Sequence, residues 1–119
     1  MKAVIAKYLS IFKIELEDLE TDIVSLIELT EERKLNKEIT EYVGLENVSL
    51  LQAEFAGIKC IGNSIDEYDI SKYAGLDDFV SDFKKELKKK IRNSGYPDAV
   101  YLFVERKADK VAKYVSEQI

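Results

Sequence analysis

The chain of 119 residues contains no histidine and a single cysteine, Cys60. Without an imidazole there is no His general base and no Ser/His or Cys/His dyad. With one thiol besides, there is no Cys/His zinc site within one chain. Cys60, flanked by Lys59 and Ile61, has no base to ionise it and reads as a small buried apolar residue. A domain of this length buries about two-thirds of the surface that its unfolded chain exposes, so neither a disulfide nor a structural metal is needed to hold it. Long apolar runs are also missing: Lys7, Lys13 or a carboxylate interrupts them every few residues. That excludes a membrane span and a secretory leader, and the expected location is the cytoplasm.

Glycine and proline are scarce, with five and one respectively, and neither occurs before Gly44. With strand-like alternation also poor, residues 2–43 read as helix interrupted once or twice. What the chain does have is 46% hydrophobic and 34% charged residues at a net charge of −5. Leu, Ile, Val and Phe make up about a third of it, which excludes disorder and supplies one core. A single domain over residues 1–119 is expected.

Ile5, Leu9, Phe12, Leu16, Leu19, Ile23 and Leu26 keep a four-three spacing and form one seam along a first helix. Thr30 and Arg33 take the next two seam positions, so this helix is expected to end between Glu28 and Thr30. A second would run from Glu31 to Val43 and stop at Gly44. Val48, Leu51, Phe55 and Ile58 mark a further amphipathic run toward Gly57. Residues 58–61 read as a short strand, and Ser64 with Glu67 as a capped helical turn. Asp77 to Asn93 is a clear helix with Phe79, Phe83, Leu87 and Ile91 as its apolar stripe, stopped by Asn93-Ser94-Gly95. The unbroken apolar run Ala99 to Val104 reads as a strand buried on both faces, and residues 107–118 as a closing helix. The expected fold class is therefore α+β and predominantly helical, with N-terminal helical hairpins packed on a small C-terminal βαβα-like unit.

Three segments resemble known motifs. Residues 36–54 resemble a helix-turn-helix, with Ile39, Val43, Gly44, Leu45, Leu50 and Ala53 where that motif buries residues or turns, which would imply a transcription regulator. Thr40 departs from the small residue that the motif prefers. The reading helix, Glu46 to Glu54, has no Lys or Arg, whereas phosphate contacts supply most DNA affinity. Gly57 to Ser64 resembles a phosphate-binding P-loop but has Asn63 in place of the lysine that neutralises the β and γ phosphates. Asp98 with Glu105 and Lys107 resembles a metal-dependent nuclease signature; across one strand the two carboxylates would lie roughly 23 Å apart, too far to share an ion. A small metal- or nucleotide-dependent enzyme using carboxylates near Gly62 to Asp69 is thus the second alternative, after the DNA-binding one.

Charge is segregated. Residues 15–32 hold eight carboxylates and no base, whereas Lys84, Lys85, Lys88, Lys89, Lys90 and Arg92 face only Glu86 in residues 84–92. The two blocks are expected to pair electrostatically, within one chain or across a dimer. No catalytic residue, cofactor or metal ligand is assigned. The leading expectation is a non-enzymatic protein–protein interaction module that forms a homodimer, with another protein as a further partner and neither nucleic acid nor membrane among its partners. Its expected surfaces are the seam of Ile5, Leu9, Phe12, Leu16, Leu19, Ile23 and Leu26, and the basic face of Lys84, Lys85, Lys88, Lys89 and Arg92.

Overall fold

A computed structural model describes residues 2–118. It contains helices α1 (Lys2–Leu35), α2 (Glu41–Ser64), α3 (Leu76–Asn93) and α4 (Asp98–Glu117), with a 3₁₀ turn at Ile65–Glu67. Among the described residues there is no strand, so the α+β expectation with its βαβα-like unit is wrong and the fold is all-helical. None of the helices is long and apolar enough to cross a membrane.

Two segments expected as strands are helical for identifiable reasons. Residues 58–61 lie inside α2, where Ile58 and Ile61 are buried and Lys59 is exposed. Ala99 to Val104 form the first turns of α4, and the buried residues of that helix are Val100, Val104, Ala108, Val111 and Val115, a helical spacing that runs through the apolar run. Packing against α1, α2 and α3 widens the buried arc of α4, so Ala99, Tyr101 and Phe103 on its flanks are half-covered. This width hides the 3.6-residue period in a six-residue window.

The first helix also does not stop near Thr30. Thr30 turns its hydroxyl back onto the Leu26 carbonyl at 2.8 Å, which satisfies it within the helix. At the next turn the aliphatic stem of Lys34 lies over Gly44, its Cδ 2.8 Å from where a β-carbon would be. The ammonium meanwhile reaches Glu31 at 3.2 Å, so a lysine serves as an apolar seam residue with its charge in water. Gly44 accordingly allows close helix contact inside α2 and does not end a helix. α1 ends at a Schellman motif: Glu38 N–H donates to the Arg33 carbonyl at 2.9 Å, and Lys37 N–H to that of Lys34 at 3.2 Å. Lys37 takes the left-handed conformation there, with φ 60°, at a cost of about 1 kcal/mol relative to glycine. α2 then starts at Thr40, whose hydroxyl accepts the Val43 N–H at 3.1 Å. The end of α3 follows the sequence reading, with Gly95 at φ 74° and Tyr96 N–H donating to the Ile91 carbonyl at 3.3 Å.

α1 and α2 form an antiparallel hairpin in which Lys34 meets Gly44, Glu20 meets Lys59, and Leu16 meets Gly62. α4 lies antiparallel to α1, with the Tyr8 hydroxyl donating to the Ala108 carbonyl at 2.9 Å and Glu15 accepting from Lys107 and Lys110, each at 2.9 Å. α3 closes the bundle and brings Phe79 and Phe83 onto Tyr8 and Phe12, with ring centroids 5.2–6.0 Å apart across the two helices. At 1.5 Å per residue α1 is about 51 Å long, whereas α3 and α4 span only about 27 and 30 Å. The molecule measures 55 × 30 × 18 Å with a radius of gyration of 16.6 Å, against roughly 13.5 Å for a compact domain of this length. The four-helix body therefore covers one end of the hairpin, and the remainder projects as a two-helix arm.

Candidate functional site

The arm comprises residues 22–54. Its root is fixed where α4 begins: a β-carbon on Gly57 would stand 3.0 Å from Val100 and 3.2 Å from the Tyr96 ring, so the start of α4 lies directly on that turn of α2. Beyond it neither α3 nor α4 is long enough to follow. The arm's own interior is thin, consisting chiefly of Ile23 and Val48 with Ile27 and Leu51 half-buried beside them.

Helical spacing shows which surface this leaves open. On α1, Glu15 faces α4 through its two lysine partners; counting on by fours and threes leads to Leu19, Asp22, Leu26 and Leu29. On α2, Ile61 and Gly57 belong to the buried interior, and counting back leads to Glu54, Leu50, Asn47 and Val43. The row of α1 that faces α4 and the row of α2 that carries Ile61 and Gly57 thus run on into the arm. There Leu26, Leu29, Val43 and Leu50 are 49%, 41%, 40% and 52% exposed. Val24, Leu35, Tyr42 and Leu45 add to the arm's apolar surface. Among the described residues only Ile14, Leu102 and Tyr114 are large hydrophobics of comparable exposure elsewhere. Singly exposed hydrophobics are ordinary, whereas four aligned along the open side of one projection mark a contact surface.

The arm is also acidic. Asp22, Glu28, Glu31, Glu32, Glu38, Glu41, Glu46 and Glu54 stand against Arg33, Lys34 and Lys37, so residues 22–54 carry the chain's entire net charge. Glu54 is distinctive because it is buried at 7% exposure. It has no hydrogen bond or ion pair among the described residues, and burial pushes its carboxyl pKa up from the ordinary value. Buried oxygens without a partner are absent among the described residues, so the Glu54 carboxylate still reaches water. Glu15, by contrast, is held below the ordinary carboxylate range by hydrogen bonds from Lys110 and Lys107.

The structure separates the residues that the sequence pointed to. Ile5, Phe12, Leu16 and Ile23 are buried in the chain's own core, Leu9 and Leu19 are packed against its edge, and only Leu26 emerges onto the arm. Lys84, Lys85, Lys88, Lys89 and Arg92 line α3, where Lys84 pairs with Asp109 at 2.8 Å and Lys88 lies over the Tyr101 ring at 5.4 Å. Among the described residues no ion pair joins the acidic block 15–32 to the basic block 84–92: Glu15 turns to α4, and Glu20 to Lys59 at 4.0 Å.

The motif resemblances lose their geometry. A helix-turn-helix requires a turn near Gly44, but Glu41–Ser64 is one helix. Gly57 to Ser64 is interior to that helix, where backbone N–H groups are already bonded and cannot cradle a phosphate. Asp98 and Glu105 lie two turns apart on α4, roughly 10 Å along its axis, and Lys107 is engaged by Glu15. Cys60 is half-buried and opens with Lys59, Asn63 and Lys90 onto a surface depression of about 590 Å³. Among the described residues no three Cys, Asp or Glu side chains are grouped so as to hold a metal ion.

Leu29, Val43, Leu50 and Glu54 are the site residues that sequence reasoning did not assign. Leu29 lay at the expected end of the first helix, and Leu50 and Val43 were absorbed into the helix-turn-helix pattern. Compared with known proteins, the chain matches no family model, no curated protein and no solved structure.

Proposed function

We propose that this chain is a non-enzymatic interaction module that holds another protein on its projecting α1–α2 arm, with the four-helix body as the scaffold that stiffens it. The observation that carries this reading is the exposure of Leu26, Leu29, Val43 and Leu50 on the arm, in line with the rows of α1 and α2 against which α4 packs on the body. Exposing these side chains to water forfeits burial of about 25 cal/mol per Å² of apolar surface, a cost that a bound partner would relieve. A second copy of the chain is the poorer occupant. The seam that suggested dimerisation is already covered by the chain's own helices, and two arms of the same acidic sign repel one another on approach.

Site-specific photo-crosslinking in the cells that make the protein tests this directly. A photoreactive residue at position 29 on the arm should yield a discrete heterologous adduct, while the same residue at position 113, on the exposed side of α4, should not. Adducts at position 113 alone, or at neither position, would contradict the proposal.

A further inference from the structure

We infer that the open groove of the arm receives an amphipathic helix of another protein, roughly three turns or about 17 Å long, with one apolar stripe flanked by lysine or arginine. This rests on the proposed function and specifies the partner's chemistry.

The chain contains its own template for such an occupant. On the body, the groove between α1 and α2 is filled by α4, which seats Val100, Val104, Ala108, Val111 and Val115 at helical spacing. Its flank reaches out with Lys107 and Lys110 to the carboxylate of Glu15. The arm repeats these parts without the filling helix. Asp22 stands one heptad beyond Glu15, and Leu26, Leu29, Val43 and Leu50 prolong the apolar rows in the same direction. Because the open groove is continuous with the occupied one, the same class of segment fits both.

Charge and burial narrow the class further. The arm holds eight carboxylates against three bases, so a basic helix is drawn in and an acidic one repelled. At the junction with the body, Glu54 is buried at 7% exposure with no partner among the described residues, yet keeps an opening to water. Burial strips this carboxylate of part of its hydration, and a lysine on the docked helix would complete the pair as Lys107 does for Glu15. The chain's own basic amphipathic helix, α3, cannot serve from a second copy. Its apolar stripe of Phe79, Phe83, Leu87 and Ile91 is enclosed in the core, leaving only charge to present.

The test uses the full chain and a fluorescent synthetic peptide of about 14 residues, with leucines at the spacing of the α4 stripe and lysines on its flanks. Binding is followed by fluorescence anisotropy at two salt concentrations. The peptide should bind, and a version with every lysine changed to glutamate should not. The double variant Leu26→Ser/Leu50→Ser should lose at least about tenfold in affinity. Glu54→Gln should weaken binding several-fold and make it less salt-sensitive, while raising the melting temperature of the free chain. Leu102→Ser, exposed on α4, should leave affinity unchanged, and circular dichroism should show all variants folded.

Equal binding of the acidic peptide, or full affinity in the double variant, would overturn the inference. So would sedimentation showing a dimer that the double variant abolishes, which would assign the groove to a second copy. A heterologous adduct at position 29 together with no peptide binding would sink this inference and leave the proposed function standing. Failure of both would sink both.

Discussion

Leu16→Glu is expected to leave the chain unfolded at room temperature, whereas Leu26→Glu, the same change ten residues further along the same seam, should cost less than about 1 kcal/mol. Leu16 is 1% exposed and packs beside Gly62, where α2 approaches closely. Removing a buried leucine costs about 2–5 kcal/mol, and an unpaired carboxylate in its place adds several more. The sum rivals the entire stability of a domain, typically about 5–15 kcal/mol. Leu26 lies beyond the start of α4 and is half-exposed, so its replacement meets water. Urea unfolding followed by circular dichroism measures both. Similar losses at the two positions would show that the core extends into the arm.

Phe83→Ala should destabilise the chain by about 3–5 kcal/mol. Phe83 is the centre of the aromatic cluster between α3 and α1: it lies 5.2 Å from Phe12, 5.1 Å from Phe79, 5.1 Å from Tyr68 and 6.0 Å from Tyr8. Most of these are edge-on contacts that add to the burial term. The cavity left by alanine is walled by rigid rings from α1 and α3 and by the segment after the 3₁₀ turn, so it collapses poorly. Phe83→Leu keeps much of the volume and should cost less than half as much. Comparable losses for the two variants would mean that ring geometry, and not volume, holds the bundle together.

These two expectations follow parts of the fold that differ in how visible they were in the sequence. α3 could be read almost to the residue, because it has acidic residues in its first turn, one narrow apolar stripe and a glycine stop. The first half of α1 was equally plain. The second half was not, because its seam is continued by a threonine that satisfies itself and a lysine that buries only its stem. Hydrophobicity alone assigns neither to an interior. The start of α4 was mistaken for a strand because a helix enclosed by three others has a wide apolar arc, and six residues are too few to show its period.

The candidate surface was less legible still. Leu26 was visible as a seam residue, but exposure of the arm depends on where α4 begins, just after Pro97, with Val100 and Tyr96 lying against Gly57. No local pattern in residues 22–54 reports this. The segregation of charge was readable, whereas its pairing was not: the residues of the acidic block that find partners turn to Lys34, Lys59, Lys107 and Lys110 and leave the basic face of α3 aside.

Amide hydrogen exchange on the intact chain, alone and with the basic peptide, tests most directly whether the arm is an open surface that awaits a helix. In the free chain, amides around Leu26, Leu29, Val43 and Leu50 should exchange at least about tenfold faster than those around Tyr8, Phe83 and Val104, since a two-helix segment with a thin interior opens without global unfolding. Adding the peptide should slow exchange in the arm and leave the body unchanged. Uniform protection along the whole of α1 and α2 in the free chain, or peptide protection that falls on α3, would contradict it.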